Sequence, residues 1–141
     1  MGARTWHIAR ADYHKEVADF LNADGRYKDW SIVALYYSAL HFMDSVLCDE
    51  PEIPKDERHP RKHSGMEVGN RGRHQLVASY CRAANRPYRK LEQMSRRTRY
   101  DVEKLSEGGN AYDRALPWWR EVERYARMMH MVREPIPTDA P

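Results

Sequence analysis

The sequence predicts an all-α protein, built as an up-and-down bundle of four to five helices. One observation is a run of eighteen residues, Trp30 to Leu47, that contains no Gly, no Pro and a single charged residue, Asp44. A strand rarely runs so long, so the run indicates a buried helix. The other observation is that apolar residues recur at helical spacing in the flanking segments, which Gly and Pro separate. Short connections between such segments favour an up-and-down bundle.

The central run carries a stripe of small or polar residues. They are spaced three, four, three and four positions apart, which places them along one side of a helix: Ser31, Ala34, Ser38, His41 and Ser45. Such a stripe usually indicates that another helix packs closely against it. The other interpretation is that the stripe faces a site in which His41 acts.

A first amphipathic helix is predicted for residues 3–23. Its apolar residues at helical spacing predict its buried face: Trp6, Ala9, Tyr13, Val17 and Phe20. Gly25 is placed to end this helix, and Asp29 is placed to cap the central one.

The second half of the chain alternates between polar loops and helical segments. Residues 49–73 are predicted to be a polar, basic loop, because they follow neither a helical nor a strand period. A third helix is predicted from His74 to Ala84, and Pro87 fits the first turn of a fourth.

The last helix is predicted to begin around Pro117. Residues 1–133 then form a single helical domain, and the proline-rich tail, residues 134–141, is predicted to be disordered.

Charge is distributed unevenly along the chain. The segment from Arg58 to Arg99 contains twelve Lys or Arg and two acidic residues, a formal charge of +10, whereas the rest of the chain carries −7. So basic a segment in an otherwise acidic chain predicts a polyanionic partner, with an arginine-rich solvated face as the alternative.

Cysteine use and hydropathy indicate a cytoplasmic protein. Cys48 and Cys81 both fall within predicted helices, which favours packed, reduced thiols over a disulfide framework. The N-terminal residues lack the pattern of a signal peptide. We predict no membrane span, because the polar residues of the central run would be costly in lipid.

The order of three sequence features resembles the HEPN superfamily of small prokaryotic proteins. These features are ALYYSALHFMDSVL in the central helix, HPRKH in the following loop and MSRRTRYD at the end of a later helix. The resemblance covers roughly Asp29 to Asp101. It implies a helical bundle that forms a homodimer and acts as a metal-independent endoribonuclease of the toxin or antiphage-defence type. It also implies a partner such as a nucleotidyltransferase-type antitoxin.

The chain departs from the family's signature, which is an Arg followed by a His after four to six intervening residues. At the usual location, Ser95 to Tyr100, no histidine follows before His130. The spacing is met by Arg58 with His63 in the basic loop, and by Arg124 with His130 in the last helix.

Cleavage of RNA without a metal requires a base, an acid and positive charge near the phosphate. Histidine suits the first two roles because its ordinary pKa of ~6.5 lies near working pH, and arginine suits the third. The candidate catalytic residues are His63, Arg96, Arg99, His41 and Arg58. We hypothesise that His63, Arg96 and Arg99, with or without His41, form one polar cluster.

RNA binding is predicted for a further set of residues: Arg61, Lys62, Arg71, Arg73, Arg89, Arg97 and Tyr100. His59 and His63 have a spacing compatible with zinc, but no second ligand pair accompanies them, so we predict neither a metal nor a cofactor. Two alternatives stay open. One is a non-catalytic dimerisation or protein-interaction module, and the other is a toxin whose active site is completed by its partner.

Overall fold

The computed structural model describes residues 2–58, 71–100 and 110–136, and within these ranges it is an all-α bundle of five helices, as predicted. The helices are α1 (Ala3–Asp24), α2 (Lys28–Leu47), α3 (Arg73–Tyr80), α4 (Arg82–Tyr100) and α5 (Ala111–Val132). A short 3₁₀ helix, Lys55–Glu57, follows α2. Much of the predicted basic loop, residues 59–70, and most of the predicted tail, residues 137–141, lie outside the described residues.

Helix α2 is the centre of the bundle and packs against each of the other four helices. Fifteen of its twenty residues are buried, so it is covered on all sides. This explains why its sequence is apolar around the whole helix. Its first turn begins one residue before Asp29, and Tyr27 occupies the N-cap position, so the predicted cap at Asp29 is wrong.

Helix α1 packs closely along α2 because small residues form its buried face. Ala11 and Ala18 are fully buried, and the Ser38 hydroxyl of α2 donates a hydrogen bond to the Ala11 carbonyl at 2.8 Å. The stripe of α2 therefore marks a close helix contact at this position. Gly25 ends α1 in the left-handed conformation, with φ of 87°, as its position predicts.

The predicted buried face of α1 is wrong. Trp6, Tyr13 and Phe20 are 39%, 51% and 70% exposed, and the buried residues are Ala3, His7, Ala11 and Ala18. Packing explains the reversal: a face of alanines lets the backbones of α1 and α2 approach closely, which a row of aromatic rings would prevent.

The boundary between α3 and α4 also differs from the prediction. The chain leaves helical geometry at Cys81, whose φ and ψ are −126° and 50°, and α4 begins at Arg82. Pro87 therefore lies inside α4 and not in its first turn. Its ring is buried, so apolar packing there offsets the backbone hydrogen bond that proline cannot donate.

Helix α5 begins at Ala111, earlier than predicted. The Asn110 side chain caps it by accepting a hydrogen bond from the Asp113 N–H. After α5, Arg133 donates to the Val46 carbonyl at 2.9 Å, and the Ile136 N–H donates to Asp49 at 3.1 Å. The first residues of the predicted tail thus contact the end of α2.

Candidate functional site

Three histidines meet where α1 packs on α2. His7 of α1 is buried, and its Nδ1 lies 3.2 Å from Nδ1 of His41 in α2. The ring of His14, two turns further along α1, is parallel to that of His41 at a centroid distance of 5.4 Å. Trp6 presents its ring edge-on to His7 and His41, at 5.1 and 5.7 Å. The stripe of α2 therefore does hold His41 within a polar cluster.

Burial favours the neutral form of the His41 and His14 imidazoles. Removal from water is the largest of the causes that lower the pKa of His41 to about 4; the Asp44 carboxylate opposes it, and the neighbouring His7 and His14 act in the same direction as burial. Burial, with the nearby Arg10 charge, also lowers the pKa of His14. Near neutral pH each of these two rings therefore has one unprotonated nitrogen, which can accept a hydrogen bond or bind a metal.

A buried ion pair adjoins the histidine cluster. Asp44 lies three residues after His41, and its Oδ1 accepts a hydrogen bond from Arg73 Nε at 2.8 Å. Burial alone would lower the pKa of Arg73, but the Asp44 carboxylate raises it, so the guanidinium stays charged. One ligand atom each from His7, His41 and Asp44 lie within 4.8 Å of one another.

A second polar network joins α2, α3 and α4. The Tyr36 and Tyr88 hydroxyls lie 3.3 Å apart, and His74 Nδ1 lies 3.0 Å from the Tyr88 hydroxyl. His74 also approaches the buried Glu92, which in turn pairs with Arg96. Burial raises the pKa of Tyr36 to about 12, so this network holds neutral phenols at physiological pH.

The charged residues on the solvent-facing side of α4 are all basic. Six of its exposed residues are spaced three or four positions apart and form what we call the basic stripe: Arg82, Arg86, Lys90, Gln93, Arg97 and Tyr100. The one acidic residue of α4, Glu92, is buried. No carboxylate of this helix therefore competes with an anion at the stripe.

Aromatic rings accompany the arginines of the stripe. The Arg86 guanidinium lies 5.7 Å from the centroid of the Trp118 ring of α5. At the end of α4, Arg99 lies 5.4 Å from the ring of Tyr100, which is 79% exposed. An exposed ring beside a cation offers a nucleobase a surface on which to stack.

The predicted catalytic residues occupy different surroundings. Arg58 donates to the backbone carbonyls of Ile53 and Pro51, so it stabilises its own loop. Arg96 is engaged by Glu92 on α4, whereas His41 lies between α1 and α2. His63 is outside the described residues. His41 contacts His7 and His14, and the hypothesis of one polar cluster with His63, Arg96 and Arg99 stays a prediction.

The predicted RNA contacts divide into two groups. Arg97 and Tyr100 are exposed on the basic stripe, and Arg89 beside it is half-buried. Arg71 pairs with Glu57 and donates to the Tyr80 hydroxyl, while Arg73 is buried against Asp44. We therefore leave Arg73 out of the candidate interface, because a guanidinium committed to a buried carboxylate is not available to a phosphate. Arg61 and Lys62 lie outside the described residues.

The second Arg–His pair with the family's spacing, Arg124 and His130, has its two side chains in different surroundings. His130 Nε2 lies 2.8 Å from the Ser45 hydroxyl of α2, whereas Arg124 is exposed. Burial lowers the pKa of His130 to about 4. These positions indicate a packing role for His130, and no shared site with Arg124.

The two cysteines are free, buried thiols, in agreement with the predicted reduced state. Burial raises the pKa of both Cys48 and Cys81 to about 12. Because the thiolate is the reactive form, neither residue is suited to nucleophilic chemistry.

His7 and His14 were missed by the sequence interpretation. Their positions did carry a signal: His7, Ala11, His14 and Ala18 are spaced four, three and four apart, the same spacing as the stripe of α2. Two stripes of small residues and histidines on consecutive helices indicate that the helices pair through them.

Comparison with known proteins assigns no family to the chain. No protein-family model, curated protein or solved structure matches it. Within the described ranges, none of the helices is both long and apolar enough to cross a lipid bilayer. The resemblance to the HEPN superfamily stays a prediction from the sequence features.

Proposed function

We propose that this protein is a HEPN-like RNA-binding protein that uses the basic stripe of α4 as its interface. The observation that carries the proposal is the charge of this face: every charged residue exposed on α4 is basic, and Glu92 is buried. Arginine recognises phosphate through its planar, permanently charged guanidinium. A face with that composition favours a polyanion.

The dimensions of the basic stripe support a single RNA strand as the ligand. From Arg82 to Tyr100 the helix is ~27 Å long at 1.5 Å per residue, enough to follow several successive phosphates. Tyr100 at one end supplies a ring for base stacking, which favours single-stranded RNA over a closed duplex.

The binding test is a salt series of RNA affinity with a variant of the stripe. In Arg82→Gln/Arg86→Gln/Lys90→Gln we expect at least a tenfold loss of affinity for single-stranded RNA. We also expect the slope of log K against log salt to fall by about 2, since each phosphate contact contributes ~0.7. Fluorescence anisotropy from 50 to 200 mM salt measures both quantities.

A matched control removes the same three charges elsewhere. Lys28, Arg120 and Arg124 are exposed outside α4, and their simultaneous replacement by Gln lowers the net charge equally. The control is expected to keep most of the affinity. Equal losses in both variants would show that RNA responds to net charge and not to this face.

Cleavage is a separate step of the proposal. The geometry supports binding more directly, because His41 contacts His7 between α1 and α2 whereas Arg96 pairs with Glu92 on α4. Incubation of structured RNA with the protein in EDTA tests a metal-independent nuclease. Full activity in both His63→Ala and Arg96→Ala would contradict our catalytic assignment. Co-purification with a nucleotidyltransferase-type antitoxin would support the toxin form of the proposal.

A second candidate function, a dimerisation module, is favoured by the exposed face of α1. Trp6, Tyr13 and Phe20 are spaced seven residues apart and form what we call the aromatic ridge. Heptad spacing is typical of a helix that packs along another helix. Rings this exposed on a helix mark an interaction surface.

The ridge is complementary to a second copy of itself in the antiparallel direction. Around a two-fold axis at Tyr13, Trp6 of each protomer faces Phe20 of its partner. The same axis brings Arg10 against Glu16 of the partner, so opposite charges meet on both sides. We therefore propose a homodimer formed through α1.

The dimer test is a charge exchange across the ridge. Arg10→Glu places like charges together and is expected to shift the protein to monomer in sedimentation velocity. Arg10→Glu/Glu16→Arg restores opposite charges and is expected to restore the dimer. Met131→Glu, at an exposed position on α5, is the control that leaves association unchanged. A double variant that stays monomeric would contradict the antiparallel arrangement.

A further inference from the structure

Three potential metal ligands converge where α1 packs on α2. His41 and Asp44 lie three residues apart on α2 and therefore on one side of it, and His7 approaches them from α1. We propose that His7, His41 and Asp44 bind a divalent transition-metal ion, with Zn²⁺ as the probe. This site lies at a different helix contact from the basic stripe, so it does not depend on the proposed RNA binding.

The separation of the two imidazole nitrogens fits a shared ion. Two nitrogens bound to tetrahedral zinc at 2.0–2.1 Å lie ~3.3 Å apart. The Nδ1 atoms of His7 and His41 are 3.2 Å apart. A carboxylate oxygen of Asp44 and one nitrogen from each of the two rings lie within 4.8 Å of one another, so the third ligand lies next to the other two.

The donor set indicates the class of metal. Two imidazoles and one carboxylate suit zinc, iron(II), cobalt(II) or nickel(II), whereas magnesium and calcium prefer sites of oxygen alone. Three protein ligands leave a fourth tetrahedral position, which a water molecule can occupy. His41 is only half-buried, so within one protomer the cluster is not fully enclosed.

The ion pair with Arg73 affects both the orientation of the Asp44 carboxylate and the affinity of the site for a metal ion. Arg73 Nε holds Oδ1 of Asp44 at 2.8 Å, which orients the carboxylate as outer partners of metal ligands commonly do. Its positive charge also opposes a dication nearby. We therefore expect micromolar and not nanomolar affinity for Zn²⁺.

The same nitrogen separation also fits a plain hydrogen bond between the two rings, and the two states differ in proton placement. Without metal, one Nδ1 carries a proton and donates it to the other. With metal, neither Nδ1 carries a proton, and both rings are protonated at Nε2. Imidazole ¹⁵N chemical shifts of the unmodified protein distinguish these states without any substitution.

The experiment titrates Zn²⁺ into the full chain after chelator treatment. We expect one equivalent to bind by calorimetry, a rise in Tm of about 5 °C and loss of the Nδ1 proton signal. His7→Gln and His41→Gln are expected to lose at least tenfold in affinity. His14→Gln, which changes a ring stacked on His41 but outside the ligand set, is expected to keep it.

A second control addresses the histidines of the basic loop. His59→Gln/His63→Gln is expected to retain the high-affinity equivalent. If this variant loses binding while His7→Gln keeps it, the ion belongs to the loop and the proposal fails. Unchanged Tm and unchanged ¹⁵N shifts in the unmodified protein also overturn it. RNA affinity measured in EDTA reports on the basic stripe separately.

Discussion

At the scale of single residues, we expect substitutions in the buried ion pair of Asp44 and Arg73 to destabilise the fold most. Both side chains are buried beside the central helix, and Arg73 is held there by the carboxylate. Removing one partner of such a pair leaves the other charge without compensation in a medium that solvates it poorly. The sensitivity of the fold to substitution is therefore high at these two positions.

Asp44→Asn is expected to lower the free energy of unfolding by about 3 to 5 kcal/mol, because it leaves the Arg73 charge buried. Urea denaturation in EDTA measures the loss without interference from metal. Asp24→Asn is the matched control, since it removes a carboxylate that pairs with the exposed Arg26. The control is expected to cost less than about 1 kcal/mol. A similarly small cost at Asp44 would contradict the role given to the ion pair.

The pH dependence of stability follows from histidines that are buried in the neutral form. The folded pKa of His130 is about 4, below its unfolded value of 6.5, so the unfolded chain binds more protons between these values. The contribution of His130 to the free energy of unfolding is complete above pH 6.5 and is lost as the pH falls towards 4.

His130→Gln is expected to weaken that pH dependence. Glutamine does not titrate, so the slope of unfolding free energy against pH falls by roughly 1 kcal/mol per pH unit or less between pH 6.5 and 4. Urea denaturation at several pH values compares the two slopes, and any constant offset from the lost contact with Ser45 cancels. Equal slopes would show that His130 is not shielded from water.

At the scale of helices, the contact between α1 and α2 depends on small side chains. Ala11 is fully buried, and its carbonyl accepts the Ser38 hydrogen bond, while the Trp119 indole N–H of α5 donates to the same hydroxyl at 2.8 Å. One serine therefore links three helices. A larger residue at Ala11 would separate α1 from α2 and break this link.

Ala11→Leu is expected to destabilise the protein by about 1 to 3 kcal/mol through overpacking. Ala23→Leu, at an exposed position of the same helix, is the control and is expected to change stability by less than about 0.5 kcal/mol. Thermal and urea denaturation measure both. If Ala11→Leu proves neutral, the helices are less closely packed than the structure indicates.

The sequence predicted best those structural features that depend on a single helix. The length and apolarity of α2 identified it as the buried centre, and Gly25 identified the end of α1. The buried face of α1 was predicted wrongly because hydrophobicity does not reveal which face a neighbour covers. The aromatic ridge is the more apolar face, yet the alanine face meets α2.

The candidate site could be predicted only in part for the same reason. His41 stood out within its own helix, but its partners His7 and His14 come from another helix, and their proximity depends on how α1 and α2 pair. The excess of arginine around the basic stripe could be predicted because it is a property of local sequence, but Arg82, Arg86 and Lys90 of the basic stripe were not among the predicted RNA contacts. The burial of Arg73 could not be predicted either, since it depends on Asp44, 29 residues earlier.

At the scale of the whole molecule, the two ends of the described chain are held at one end of α2. Arg4 pairs with Asp49 just after α2, and its guanidinium also donates to the Arg133 carbonyl at 3.0 Å. Arg133 in turn pairs with Glu50. One arginine thus joins segments 129 residues apart in sequence.

This contact has a kinetic consequence. Closing so long a loop has a high entropic cost, so the Arg4 contacts are expected to form after the folding transition state and to act mainly on unfolding. Arg4→Met should raise the unfolding rate and leave the folding rate nearly unchanged in stopped-flow urea experiments. A slower folding rate would instead place the joining of the chain ends in the folding nucleus. We therefore expect Arg4 to contribute to the kinetic stability of the bundle, that is, to how long the folded state lasts before it unfolds.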